Sequence, residues 1–124
     1  MIKTFGLTHT ALPVADIERS LRFYQELLGV EVRSRSADGA DIGTPGCHDV
    51  ISLQQKRDGA GIGDMGALGH IGFRLQAQED VQTLADAVVA AGGTVTDSGH
   101  FTPDEPYVFA KDPDGYVIEL WYEP

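Results

Sequence analysis

The sequence predicts an α+β fold built from two repeated β-α-β-β-β modules. The first observation is a repeat: the segments from Leu7 and from Leu68 each run from an alternating stretch through acidic residues into a helical pattern. Glycine and a β-branched run then follow in both segments. The second observation is a hairpin signal near the end, Asp112-Pro113-Asp114-Gly115, between two apolar stretches. The third is the composition, with 42% hydrophobic and 23% charged residues, which is typical of a globular domain.

The first module begins with an alternating stretch around His9, which predicts a strand. Asp16 is a capping or first-turn carboxylate, and Gly29 ends the helix that follows. The helical stripe consists of Ile17, Leu21, Tyr24 and Leu28. Residues 30–35 and 49–55 are expected to form two further strands of this module.

The second module repeats this order, with a strand around His70 and a helix that Glu79 and Asp80 open. The helical stripe consists of Val81, Leu84, Val88 and Ala91, and it is closed by Gly92 and Gly93. A strand is expected at residues 94–97. The hairpin joins two more strands, at residues 107–111 and 116–122.

A glycine-rich linker at residues 57–67 is expected to separate module one, about 5–56, from module two, 68–124, within a single domain. Its glycines contain the pattern G-x-G-x-x-G. A dinucleotide fingerprint requires a strand before this pattern and a helix after it. Here the pattern precedes a strand, so the nucleotide interpretation is rejected.

Charge and cysteine content exclude several classes of protein. The formal net charge is −10, which argues against a nucleic-acid partner, because phosphates require Lys and Arg. No apolar run is long enough for a membrane helix, and the first residues do not resemble a secretory signal. Cys47 is the single cysteine, which excludes an internal disulfide and fits a cytoplasmic location.

Three side chains occupy comparable places in the middle of predicted strands, and together they favour a metal site. His9 and His70 hold the same slot of the repeat, and Glu119 lies between Val117 and Trp121 on one face of the last strand. Two imidazoles and one carboxylate leave coordination positions open, as catalytic metals require. The alternative is a polar network in which Glu119 pairs with an arginine, either Arg22, Arg33 or Arg74.

The stretches HTALPVADIERSLRFYQELLG, GHIGFRL and DPDGYVIELW resemble the vicinal oxygen chelate superfamily. This superfamily includes glyoxalase I, extradiol dioxygenases, fosfomycin-modifying thiol transferases and bleomycin-resistance proteins. The resemblance implies that the modules form a curled mixed sheet around a metal and substrate cavity. It implies that His9, His70 and Glu119 bind a divalent metal (Fe²⁺, Mn²⁺, Zn²⁺ or Ni²⁺) that chelates neighbouring oxygens of a small-molecule substrate. A homodimer is expected, and some members build each site from both chains.

Departures from the family pattern bear on the reaction. Glyoxalase I-type enzymes have a glutamate where this chain has Ser52, and Gln54 on the same face could contribute an amide oxygen instead. Extradiol dioxygenases and the thiol transferases have a tyrosine where this chain has Phe109. Tyr107 and His100 are the remaining acid-base candidates, with a surface or rim position as the alternative for each.

The sequence therefore predicts a metal-dependent enzyme with a dioxygenase-like set of three ligands. Phe109 and Trp121 are expected to form apolar walls for the substrate, although Trp121 fits a core position equally well. The alternatives are a glyoxalase-like isomerase or lyase, and a metal-free resistance protein that binds a drug or metabolite.

Overall fold

Two helices and eight strands make up the computed structural model, which describes residues 1–124. In chain order the elements are β1 (Thr10–Val14), α1 (Ile17–Leu28), β2 (Glu31–Arg35), β3 (Gly39–Gly43), β4 (Ile51–Gln55), β5 (Ile71–Arg74), α2 (Val81–Ala90), β6 (Thr94–His100), β7 (Pro106–Lys111) and β8 (Val117–Trp121). The chain divides into two compact units, Met1–Ile62 and Gly63–Pro124. The division falls within the glycine-rich stretch at residues 57–67.

Each unit has its own four-stranded mixed sheet with the same topology. The strand order is β1-β4-β3-β2 in the first unit and β5-β8-β7-β6 in the second. The first and last strands of each unit pair in parallel, and the remaining pairs are antiparallel. The α+β class and the two repeated β-α-β-β-β modules are thereby confirmed.

The repeat extends to the register of individual residues. Ser52 on β4 faces Asp41 on β3, and Glu119 on β8 faces Phe109 on β7 at the equivalent position. The outer strands β2 and β6 also carry an irregularity at the same place in their ladders. Directly paired residues share a face of a sheet, so each unit presents an equivalent surface with different side chains.

Helix α1 begins and ends where the sequence predicts. The Asp16 carboxylate accepts a hydrogen bond from the Arg19 backbone N–H at 3.1 Å, which satisfies one of the unpaired donors of the first turn. Gly29 ends the helix in the left-handed region, with φ 65°, and its N–H donates to the Gln25 carbonyl. The buried face consists of Ile17, Ser20, Leu21, Phe23 and Tyr24.

A side chain of β4 adds a second contact at the start of α1. The Gln55 amide oxygen accepts a hydrogen bond from the Ile17 backbone N–H at 3.1 Å, and its amide nitrogen donates to the Ala15 carbonyl. Ile17 is the first residue of the helix, so its N–H has no partner within the helix. Gln55 therefore fixes the helix to the sheet of its own unit.

Helix α2 follows the same scheme in the second unit. Asp80 accepts hydrogen bonds from the backbone N–H groups of Gln82 and Thr83, at 2.9 and 3.4 Å. Leu84 and Val88 are buried against the sheet. The chain leaves the helix through glycine, as predicted. Neither helix of the protein is long and apolar enough to cross a membrane.

The structure corrects three boundaries of the predicted strands. His9 and His70 were expected in the middle of a strand, and each lies one residue before β1 or β5. Strand β6 continues to His100, instead of ending at residue 97, because its ladder with β7 runs as far as Pro106. Strand β3 was not assigned from the sequence, since Gly and Asp, which are depleted in strands, fill three of its five positions.

The predicted hairpin is present between β7 and β8, and a buried carboxylate organises its turn. Asp112 is 4% exposed, and its Oδ1 accepts the backbone N–H groups of Asp114 at 3.0 Å and Tyr116 at 2.9 Å. Two backbone donors in a confined turn thus depend on one side chain.

The Asp112→Ala variant is expected to lose about 1–3 kcal/mol of unfolding free energy, because both N–H donors lose their acceptor. Urea unfolding followed by circular dichroism measures the change. Asp112→Asn keeps the amide oxygen at the same position and should recover part of the loss. Equal destabilisation by both variants would contradict this role of the side-chain oxygen.

Candidate functional site

The second unit joins two of the predicted metal ligands. Glu119 on β8 is only 7% exposed, and its Oε2 lies 3.0 Å from Nε2 of His70. A buried carboxylate is costly unless it is paired or bound to a cation, so the imidazole is its partner in this unit. We call these two residues the His70–Glu119 pair.

Two of the arginines considered as partners for Glu119 are engaged elsewhere. The Arg33 guanidinium donates to three backbone carbonyls of the loop at residues 44–49, and its Nε lies 3.6 Å from a Glu31 carboxylate oxygen. Arg74 donates to the Glu123 carbonyl at 3.4 Å. Glu119 lies instead within hydrogen-bond distance of a histidine, and a neutral histidine is itself a metal ligand.

Aromatic side chains lie beside the His70–Glu119 pair. The Phe109 ring packs edge-to-face on His70, with centroids 5.0 Å apart, and Tyr107 follows Phe109 at 5.6 Å. Trp121 pairs with Tyr107 across the β7–β8 ladder and therefore shares this face. Phe109 and Trp121, the residues expected to form apolar walls, and Tyr107, an acid-base candidate, thus lie on the side of the pair that β7 and β8 form.

Phe101 belongs to the same cluster and was not predicted. Its ring stacks on Tyr107 with centroids 4.2 Å apart and meets Trp121 edge-on at 6.1 Å. The residue lies just after β6 and is exposed, and its backbone N–H donates to the Glu105 carbonyl. The only feature of the sequence that pointed to this residue was its aromatic side chain within a polar segment before β7. We call Phe101, Tyr107, Phe109 and Trp121 the aromatic wall.

Tyr107 is held in its protonated form by its surroundings. Desolvation beside the neighbouring rings raises the pKa of its phenol above 10.0, and the negative charge of Asp97 raises the pKa further. The two side chains face each other, with 3.5 Å between the phenol oxygen and Oδ2 of Asp97. At neutral pH Tyr107 therefore acts as a hydrogen-bond donor and not as a base.

We expect the phenol of Tyr107 to titrate above pH 10, since burial and the Asp97 charge both disfavour the phenolate. Tyrosine ring signals followed by NMR against pH measure this pKa, and Tyr107→Phe assigns the resonance. Asp97→Asn removes one negative charge, so it should lower the pKa of Tyr107. A phenol that titrates below pH 10 in the wild-type protein would contradict the prediction.

The first unit carries His9 in a cleft of about 270 Å³, which we call the His9 cleft. It is lined by Thr8, His9, Asp41, Val50 and Ser52. Ser52, a candidate substrate contact, thus shares this cleft with His9, and so does Asp41, which was not among the predicted site residues. Gln54 is exposed and lines a neighbouring cleft that also includes Asp41 and Ser52.

His100 is not joined to either of these clusters. It is exposed at the last position of β6, where Pro106 is its partner in the β6–β7 ladder. No hydrogen bond or ring contact links it to His70 or Glu119. The surface position considered for His100 is the one that the structure gives it.

The residues present fit a divalent metal as two partial sets of donors. The His70–Glu119 pair offers an imidazole nitrogen and a buried carboxylate, and the His9 cleft offers an imidazole beside Asp41. Such nitrogen and oxygen donors suit iron, manganese, zinc and nickel. No group of three His, Cys, Asp or Glu side chains in the single chain is placed to hold a metal ion.

Known proteins resemble the chain over nearly its whole length. A "probable lactoylglutathione lyase" of Vibrio parahaemolyticus is 33% identical over 125 residues, covering 92% of this chain and 88% of that protein. The manganese-dependent 2,3-dihydroxybiphenyl 1,2-dioxygenase of Geobacillus genomosp. 3 is 28% identical, covering 98% of this chain but 37% of the enzyme.

A solved structure shares the fold. It is a glyoxalase-related enzyme from Fulvimarina pelagi, with a TM-score of 0.76, 20% identity, and coverage of 98% of this chain and 90% of that one. A family model also matches residues 6–120. The chain therefore belongs to the Glyoxalase/Bleomycin resistance protein/Dioxygenase superfamily.

Proposed function

We propose that the protein is a metal-dependent enzyme in which His9, His70 and Glu119 bind one divalent cation. The observation that carries this proposal is the His70–Glu119 pair, in which the buried Glu119 lies 3.0 Å from His70 beside an aromatic wall. His9 holds the equivalent position in the other unit, one residue before the first strand. The substrate is a small molecule with two neighbouring oxygens.

The side chains around the pair have distinct roles in this proposal. The aromatic wall excludes water and contacts the apolar part of the substrate, while the protonated Tyr107 donates a hydrogen bond to a substrate oxygen. A bound divalent cation supplies Lewis-acid polarisation of the substrate oxygens. Its positive charge also attracts an anionic substrate to a chain with a net charge of −10.

Two reaction classes follow from different observations. Two histidines and one carboxylate are the ligand set of oxygen-activating iron enzymes, which favours dioxygenase-like chemistry. The relative named a dioxygenase supports that reading. The second class is a lyase or isomerase, which is favoured by the relatives named lactoylglutathione lyase, at 30–33% identity.

We also propose that the protein works as a cytoplasmic homodimer. The apolar side chains of Met1, Ile2, Phe5 and Leu7 are 91–114% exposed in the single chain, next to His9. These residues lie close together in the sequence before β1, and a second copy of the chain would bury them. The lone Cys47 is free, as is usual in a reducing compartment.

Metal analysis of the protein, purified without a histidine tag, tests the proposal. We expect close to one equivalent of metal per chain, either as purified or after anaerobic incubation with Fe²⁺, Mn²⁺, Zn²⁺ or Ni²⁺. Oxygen consumption with catechols would then support the dioxygenase class, and turnover of lactoylglutathione without oxygen would support the lyase class. A protein that binds none of these ions would instead be a metal-free binding protein.

A further inference from the structure

We propose that Asp41 supplies the carboxylate with which the His9 cleft holds the cation. The equivalent position to Glu119 in the first unit is Ser52, which has no carboxylate. This inference rests on the proposed metal site and adds a residue to it. A hydroxyl at Ser52 is too weakly basic to replace a carboxylate at that position. The first unit contains a carboxylate one strand away, at a position that the sequence pattern did not reveal.

Asp41 lies on the same face of the sheet as Ser52. The two residues are direct partners in the β3–β4 ladder, and partners of this kind point to the same side. His9 lies two residues before Ala11, which pairs with Ser52 across the β1–β4 ladder. His9 itself precedes β1, and it lines the His9 cleft together with Asp41 and Ser52.

The two units differ in which strand carries the carboxylate. In the second unit the carboxylate stands on the last strand, at Glu119, and an aromatic residue, Phe109, faces it. In the first unit the last strand carries Ser52, and the carboxylate faces it from β3. Compared with the second unit, the carboxylate of the first unit therefore lies on the neighbouring strand, about 4.8 Å away, and on the same face of the sheet.

The bonding of Asp41 leaves it available to a cation. The hydroxyl of Ser34 donates to its Oδ2 at 3.0 Å, which orients the carboxylate without neutralising it. Asp41 is half-buried and forms no ion pair with Lys or Arg. Asp38, in the same unit, is paired with Arg57 at 3.2 Å. A partly desolvated carboxylate without a cationic partner favours the approach of a metal ion.

This carboxylate affects the choice between reaction classes. With Asp41 the proposed ligand set includes a second carboxylate, which is the kind of group that accepts a proton from a substrate in general base catalysis. Proton transfer between neighbouring carbons is the chemistry of an isomerase or lyase. The inference therefore favours that class over the dioxygenase-like class.

Calorimetric titration of the metal-free protein with Mn²⁺ and with Zn²⁺ tests the role of Asp41. We expect Asp41→Asn to weaken binding by at least about 10-fold, because a carboxylate that binds the cation is lost, and removal of a group that only supports a metal site already costs about 10- to 100-fold. Ser52→Ala and Asp38→Asn should bind as the wild type does. In the double variant Asp41→Asn with Ser52→Glu the carboxylate returns to β4, so the affinity should recover.

The possible results distinguish a failure of this inference from a failure of the proposed function. Wild-type affinity in Asp41→Asn would overturn the inference and leave the metal site of His9, His70 and Glu119 intact. Equal weakening by Ser52→Ala would overturn it too, because the cleft would then need the hydroxyl. Absence of binding in the wild type would overturn both proposals. Recovery in the double variant shows that the loss in Asp41→Asn is due to the missing charge and not to misfolding.

Discussion

The Glu119→Gln variant is expected to bind divalent cations more than about 100-fold more weakly than the wild-type protein, since it removes a direct ligand and not only a supporting group. Glutamine has nearly the same volume and can still accept a hydrogen bond from His70. The change therefore removes a negative charge from a 7%-exposed position without opening a cavity. Metal content by mass spectrometry, together with calorimetric titration, measures the loss.

Glu79→Gln is the matched control for this experiment. It makes the same chemical change at an exposed residue of the same unit, just before Asp80, which caps α2. Its metal content and thermal unfolding should match those of the wild type. If Glu119→Gln retained full metal content, Glu119 would be part of a polar pair with His70 and not a metal ligand.

Local signals in the sequence were sufficient to predict the helices and the hairpin. Asp16 caps the start of α1 with its side chain, and Gly29 ends the helix with its backbone. Both contacts depend only on residues within one turn of the helix. The turn at residues 112–115 is equally local. The matching slots of His9 and His70 were visible because the two units repeat the same order of elements.

The features that the sequence did not reveal depend on pairing between distant strands. Asp41 reaches the His9 cleft only because β3 pairs with β4 in a particular register, and no local pattern in the sequence assigned the residues of β3. In β2 a ladder irregularity between Val32 and Ser34 breaks simple alternation, so the face of Ser34 could not be inferred by counting residues. Phe101 joins the aromatic wall through a loop contact, which no periodic pattern predicts.

Mixing two variants that each lack metal is expected to restore about one quarter of the sites, if a symmetric dimer builds each site from both chains. His9→Ala removes the ligand of the first unit, and Glu119→Gln removes a ligand of the second. This composite arrangement rests on the proposed homodimer, in which a second copy covers the apolar residues before His9 that are exposed in the single chain. Half of the randomly formed dimers are hybrids, and one of the two sites in each hybrid then contains three intact ligands.

The control mixture combines His70→Ala with Glu119→Gln. Both changes lie in the second unit, so every site of the hybrid contains a second unit with one ligand missing, and the metal content should remain at background. Refolding the mixed chains together, followed by size-exclusion chromatography and metal analysis, compares the two mixtures. If the His9→Ala mixture formed dimers without recovering metal, each site would belong to one chain. Recovery confined to that mixture would mean that the His9 cleft of one copy and the His70–Glu119 pair of the other hold the same cation.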